Sequence, residues 1–326
     1  LYEETGTPLH QAYFGAQLRL VDISAPLSTI GACIVAHWMD CDVTKVGMSL
    51  SEASWTGLWA YQKQEWSKEA VRYSGVLLEY FPTVYDSKTV NVPCGPKSKP
   101  WIRDATVFRC VADGAMAAWA GQRGNISLTI GTSAAARVLV PIASLRASQR
   151  SALSRLGLWC YAVDTETVLI GGALTQGGSV IGTKQREGGG GEGGEGGGRG
   201  EEEDTASYPP LPPPSKVIHL PFARGERSTG WHRKATQVVV GVDTDMEHAA
   251  RSGVCFRLAA VIDALCSVLD TKDVQIDCSG GALEAPNSHW PQLLATILNK
   301  PLSIPKPTSK STAALETTTA GLLRWI

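Results

Sequence analysis

No stretch of the chain approaches the roughly 18 to 20 consecutive apolar residues of a membrane span. Its best candidates, such as Ile30 to Ala36, are only of strand length. Charge of either sign is not in excess: the formal net charge is -1 and the pI is near 6.7. A nucleic acid or an anionic membrane surface therefore has no electrostatic basis as a partner, and a small molecule fits better. The eight cysteines are scattered through apolar runs without the close spacing of a zinc site or a redox pair. Reduced, buried thiols in a soluble, cytoplasmic protein are the expectation. The six histidines are equally dispersed, so no protein-held metal is expected and any metal would arrive with a nucleotide.

Several signatures are missing too. There is no Walker-type Gly-x-x-x-x-Gly-Lys-Ser/Thr, since Gly178-Ser179-Val180-Ile181-Gly182-Thr183-Lys184 fails that spacing. No Gly-x-Ser-x-Gly elbow supports a hydrolase. The opening Leu1-Tyr2-Glu3-Glu4 carries no methionine, basic n-region or apolar h-region, and reads as the start of a piece of something longer.

With 43% hydrophobic and 19% charged residues over 326 positions, the chain can bury a real core in about two domains. From Lys184 to Ser215 the composition changes to Gly-Glu repeats, an acidic block at Glu201 to Asp204 and a proline run at Pro209 to Pro214. Such a stretch buries too little apolar surface to offset its ordering entropy, and is expected to be a disordered insert within a domain. Its proline run could dock on a proline-reading partner or be a plain solvated linker.

Before the insert, Val107 to Val111, Ser127 to Ile130, Arg137 to Val140, Leu158 to Val163 and Thr167 to Ile170 are β-prone runs separated by glycine or polar turns. After it, Val238 to Val242 reads as a strand. Glu247 to Leu269 reads as a helix with Val254, Leu258, Val261, Ile262, Leu265 and Leu269 on one face. Val274 to Cys278 is a further strand, and a helix follows at about Ser288 to Leu298 with Pro291 in its first turn. The class is α/β or mixed.

Two segments carry chemistry. Asp113, placed after the Val107 to Val111 run, would stand at a strand edge facing a ligand crevice, where it could take a proton from a hydroxyl; it could equally cap a helix beginning at Gly114. Gly131-Thr132-Ser133 can bring backbone and two hydroxyls to a phosphate, or be a simple polar turn. Gly280-Gly281 after a strand offers the same pair of readings. Together they suggest ATP-dependent phosphorylation.

These segments fall in an order that resembles the FGGY carbohydrate kinases. Thr5-Gly6-Thr7-Pro8-Leu9-His10, Tyr13 and Ala16 to Leu20 look like the family's Thr-Gly segment, with Gln17 where lysine is usual. Ser51-Glu52-Ala53-Ser54-Trp55-Thr56-Gly57-Leu58 is similar to the gluconate-kinase-like branch in particular. Asp113-Gly114-Ala115, Ile130-Gly131-Thr132-Ser133, Gly171-Gly172-Ala173-Leu174, Leu220 to Ser228, Ser279-Gly280-Gly281-Ala282 and Trp290-Pro291-Gln292-Leu293 follow in family order.

The resemblance implies an α/β fold of two ribonuclease-H-like, actin-like ATPase domains with a cleft between them, the first incomplete. Residues 1–123 would hold the sugar and residues 124–326, interrupted by the insert 184–215, the nucleotide. It implies Asp113 as the general base that also binds substrate, Tyr13 as a substrate contact or a core residue packed on Phe14, and Gly131, Thr132 and Ser133 as the phosphate turn. Gly178 and Gly281 would line the ATP site, with Asn287 or Ser288 supplying a polar group. ATP and Mg²⁺ are the implied cofactors, and a sugar or sugar acid, gluconate first, the implied substrate. A noncatalytic nucleotide-binding or partner-binding remnant is the alternative.

Departures from the family pattern accompany it. Residues 1 to 20 contain no Asp-x-Gly-Thr-type turn, Ser252 stands where glutamate is usual, Gly178 leads into Gly182-Thr183-Lys184 instead of a helix, and Leu322 to Ile326 end within the expected last helix.

Overall fold

The structure, a computed structural model, describes residues 1–181, 210–242, 245–284 and 288–304. The insert from 184 through 209, Asn287 and the C-terminal stretch from 305 lie outside the described residues.

The N-terminal region is mostly helical: α1 (Ile30–Met39), α2 (Leu50–Trp55), α3 (Lys68–Ser74) and α4 (Asp113–Ala120). The strand-length apolar run at Ile30 to Ala36 is thus a helix. Thr29 caps it by accepting from the Ala32 N–H at 3.1 Å, and Ala32, Val35, Ala36 and Met39 form a buried stripe at helical spacing. That stripe meets Val46, Val90 and Ile102 in a small core of its own. Two separate two-stranded sheets complete the region, Met48–Ser49 parallel to Val84–Tyr85 and Trp59–Ala60 antiparallel to Glu65–Trp66.

The expected strand at Val107 to Val111 does not form. Only an isolated bridge joins Thr89 to Phe108. The Arg109 side chain instead ties the segment to the carbonyls of Val46, Ser87 and Thr89.

Beyond residue 125 the chain builds β1 (Ile126–Ile130), β2 (Ala134–Pro141), α5 (Ala147–Arg155), β3 (Trp159–Ala162) and β4 (Thr167–Leu174). After the insert come β5 (Ile218–Leu220), β6 (Val238–Val240), α6 (Met246–Leu269), β7 (Ile276–Ser279), α7 (Trp290–Leu298) and β8 (Leu302–Ser303). Six strands form one sheet in the order β8-β7-β1-β2-β4-β3. Strands β1, β2, β4 and β3 are mutually antiparallel, while β7 and β8 continue parallel to β1. Parallel pairing of β1 with β7 needs a crossover, and α6 lies on that path. Strands β5 and β6 form a separate antiparallel hairpin.

Alternation along β2 decides what each sheet face buries. Ala134, Ala136, Val138 and Val140 point toward α6, where Val254, Leu258, Val261, Ile262 and Leu265 complete the largest core. Each fully buried aliphatic side chain there contributes about 1.5–3 kcal/mol. Helix α6 is long and apolar enough to cross a membrane, yet half of that window is buried within the fold. The opposite face carries Leu139, Trp159, Tyr161 and Leu169, and α4 packs on it through Ala115, Ala118 and Trp119. Residues 210–215, the tail of the expected insert, have no regular structure, and Leu211 is partly buried against the main core.

All eight cysteines are free; Cys160, Cys255 and Cys278 are buried and Cys33 is exposed.

Candidate active site

The placement of Asp113 begins with α2. Ser49 caps that helix in a reciprocal box with Glu52, and its hydroxyl also donates to the Cys110 carbonyl at 2.6 Å. Two residues on, the Ser51 hydroxyl accepts from the Ala112 N–H at 3.2 Å. The first turn of α2 therefore holds the backbone on both sides of Val111 and fixes where α4 starts. Asp113 is the first residue of α4, with Ala112 in the capping position. Its Oδ1 accepts from the Gly114 N–H at 2.6 Å, and the carboxylate is exposed; the expected capping role is not what it performs, because the helix starts one residue earlier than expected.

Asp113 stands between two cavities. One, of about 380 Å³, is lined by Asp113, Gly114 and Ala115 on one side and by Thr129, Gly131, Ser133, Arg137 and Ser279 on the other. The second, of about 580 Å³, lies among apolar side chains of the N-terminal region, including Leu18, Leu27, Ile30, Met48 and Phe81. Asp113, Ala112 and Trp55 line both. Glu52 is a carboxylate in the second cavity, and burial pushes its pKa up.

The glycines expected at the nucleotide side come together around the Gly131-Thr132-Ser133 turn. The turn closes on itself through the Gly131 N–H and the Ser133 carbonyl at 2.9 Å. Gly178 then docks on it: its N–H donates to the Gly131 carbonyl at 2.7 Å, and a Cβ there would lie 3.0 Å from that same oxygen. Gly177 is tighter still, because a Cβ would fall 2.4 Å from the Ser133 carbonyl. Ser179 donates its hydroxyl to the Thr132 carbonyl at 2.7 Å.

Across the sheet, Ser279 and Thr129 pair through their hydroxyls at 3.2 Å. Gly280, at φ +110°, turns the chain beside Ile130, where a side chain would strike the Ile130 carbonyl at 2.5 Å. Gly281 follows with open space around its Cβ position. Thr132 and Ser133 are exposed, and neither side-chain hydroxyl has a partner among the described residues. A glycine cradle with two unengaged hydroxyls fits the phosphates of a nucleotide and the water shell of a bound cation. Among the described residues, no group of three or more His, Cys, Asp or Glu is placed to hold a metal directly.

Tyr13 is not part of either cavity lining. It is 4% exposed and packs on Tyr161 and Trp231 rather than on Phe14, with its hydroxyl 2.6 Å from that of Tyr161. Burial raises its pKa to about 12. It connects to the first cavity through Tyr161 and Arg227, which both line it.

Arg137, Arg227, Thr129 and Ser279 were not singled out as site residues from sequence, and all four line the first cavity. For Arg137 the available signal was a lone cation within the apolar alternation of β2. Burial lowers its pKa, and the Asp113 charge partly offsets this.

Comparisons with known proteins bear on the family and the fold. The sequence profile for the FGGY family of carbohydrate kinases, C-terminal domain, matches residues 129–314. Gluconokinases of Bacillus subtilis (strain 168) and Bacillus licheniformis are each 22% identical over 345 aligned positions, covering 94% of this chain. The chain spans 62% of the length of those curated relatives.

Among solved structures, ligand-bound xylulose kinase from Lactobacillus acidophilus superposes with a TM-score of 0.72 at 20% identity, covering 99% of this chain and 66% of that one. Gluconate kinase from the same organism gives 0.70 at 20% identity, covering 99% and 65%. Plasmodium falciparum glycerol kinase with ADP gives 0.70 at 15% identity, again covering 99% and 65%. These likenesses establish the fold as the two-domain, actin-like ATPase type expected from the sequence.

Proposed function

The chain belongs to the FGGY family of carbohydrate kinases, and from that membership we propose that it phosphorylates a hydroxyl of a sugar or sugar acid at the expense of ATP, with gluconate the first acceptor to test. The single observation that carries the proposal is that Asp113 lines one cavity together with Gly131 and Ser133 of the turn. Residues 1–123 are assigned to the acceptor side and residues 124–326 to the nucleotide side.

Asp113 is the general base. Its Oδ1 is held by the Gly114 N–H, which leaves Oδ2 free to accept the proton of the attacking hydroxyl. The serines at the start of α2 fix the backbone leading to it, so the carboxylate is positioned before substrate enters. Bound ATP, with Mg²⁺, supplies the phosphoryl group and the charge neutralisation its transfer requires. Thr132 and Ser133 present the hydroxyls that would hold the phosphates and the cation's water. Gly178 and Gly281 keep side chains out of the nucleotide's path, and Asn287 is assigned to the same side. Tyr13 acts on the acceptor side through its hydrogen bond to Tyr161.

The test is an ADP-release assay with D-gluconate and neutral polyols. Asp113→Asn should lower kcat by at least about 10²-fold while leaving MgATP affinity within about twofold. Undiminished turnover in that variant would overturn the role of Asp113. A second reading, nucleotide binding without transfer, is favoured by one fact: among the described residues, the groups assigned to phosphate all come from residues 129–281. It takes over if the chain binds MgATP but releases ADP with none of the acceptors.

A further inference from the structure

The floor of the first cavity is a sheet face, and strand register orders what it presents. Ser279, Thr129, Ala135 and Ala173 form the row nearest the phosphate turn. Arg137, Gly171 and Trp159 fall in the next row, and Leu139, Leu169 and Tyr161 in the one after. Asp277 shares the register of the middle row two strands away, but its carboxylate accepts from Asn125 and from the Gln122 N–H, and it does not line the cavity. Arg137 is thus the one charged side chain of these rows that faces the cavity.

Its surroundings leave it without a hydrogen-bonding partner, although the Asp113 charge is close enough to act on it. Gly171 lies directly opposite in the ladder and contributes no side chain, which makes room for the Trp159 ring and the arginine together. The Arg137 Nε is buried with no acceptor, and among the described residues the guanidinium makes no hydrogen bond or ion pair. Arg227, on the same cavity wall, has an equally unpartnered Nε. A buried cation without an acceptor is costly unless something else supplies one. The guanidinium also lies under the first turn of α4, where a Cβ on Gly114 would come 2.4 Å from Nη1. The positive end of that helix adds to the attraction for an anion.

Position separates this anion from the transferring phosphate. Arg137 lies four residues along β2 from Ser133, about 13 Å of strand. The turn already has its own hydroxyls and glycine cradle. An acceptor that offers a hydroxyl to Asp113 and an acid group to Arg137 satisfies both ends.

We infer that Arg137, assisted by Arg227, reads the carboxylate of a sugar-acid acceptor in this cavity and so makes the site prefer an aldonic acid over the corresponding neutral polyol. The inference rests on the kinase reading of the same cavity and deepens it. Arg137 binds the acid group as a planar, two-pronged donor and takes no part in the proton transfer.

Calorimetric titration of the full chain with D-gluconate, D-glucitol and MgATP tests it. The unmodified chain should bind gluconate about 10- to 100-fold more tightly than glucitol, the scale of a charge-assisted contact. Arg137→Gln should bring gluconate down to the glucitol value and leave glucitol and MgATP unchanged, and Arg137→Lys should keep part of the preference. Gly114→Ala, which displaces the guanidinium without removing it, should reproduce the loss if Arg137→Gln fails to fold.

Equal weakening of gluconate and glucitol, weakening of MgATP instead, or no preference in the unmodified chain would each overturn the inference. Failure of the kinase reading looks different, because gluconate would still bind in an Arg137-dependent way while no acceptor yields ADP.

Discussion

The region before β1 and the region after it solve the burial problem differently. Beyond residue 125, six strands share one sheet, and α6 seals a face of it with side chains that are almost wholly inaccessible. The earlier region has two unconnected two-stranded sheets and small local cores besides the Leu50, Ala53, Trp59 and Tyr61 side chains it lends to the main core, and it leaves Leu20, Ile30, Leu77 and Trp101 more than half exposed. What holds it in place is its attachment to the larger sheet. The Ser54 hydroxyl, fully buried, accepts from the Ala162 N–H in β3 at 2.7 Å, and the Cys160 N–H donates to the Gly6 carbonyl at 2.8 Å. The half built on the large sheet carries the Gly131-Thr132-Ser133 turn, and the half pinned to it carries Asp113.

Substitutions can break or sharpen that contrast. The largest effect is expected for Leu258→Ala, which empties space at the centre of the α6 face: about 3 kcal/mol of stability lost in urea denaturation. A loss under about 1 kcal/mol would mean that α6 is not what holds the sheet region together. Ser54→Ala should cost less, about 1–3 kcal/mol, because it strands a buried N–H at the seam between the regions. Hydrogen exchange should then show faster opening of residues 50–55 while β1 and β2 stay protected. The smallest change is expected for Ile30→Ala, whose side chain is 81% exposed: within about 0.5 kcal/mol of the unmodified chain. A large loss there would reveal that the surface of the first region is covered in solution.

Much of the second region was legible because period and burial agree. The apolar stripe assigned to α6 is the stripe that packs on the sheet, and β1, β2, β4 and β7 lie where alternating or apolar runs placed them, within a few residues. The Val107 to Val111 segment misled because strand propensity does not say whether a partner strand is present, and here the pairing stops at the Thr89–Phe108 bridge.

At the candidate site, local chemistry and an ordered resemblance pointed to Asp113 and Gly131, which line one cavity, and to Gly178, which docks on the same turn without lining it. Arg137 was not, for a physical reason: alternation places it opposite Ala136 and Val138, which ordinarily means toward water, and nothing within β2 announces that α4 will cover that face. Tyr13 illustrates the same limit, since its partners Tyr161 and Trp231 are distant in the chain.

The length and apolarity of α6 have a consequence for synthesis. A segment able to cross a bilayer is a hazard when it emerges from a ribosome unfolded, as bait for insertion machinery or for aggregation. Here the chain order removes much of that exposure. Strands β1, β2, β3 and β4, which form the landing surface for α6, all precede it; β1–β2 and β3–β4 pair as near neighbours in sequence, and β2–β4 spans α5 and β3. The helix is made after the sheet face it packs on, and β7, α7 and β8 are added later.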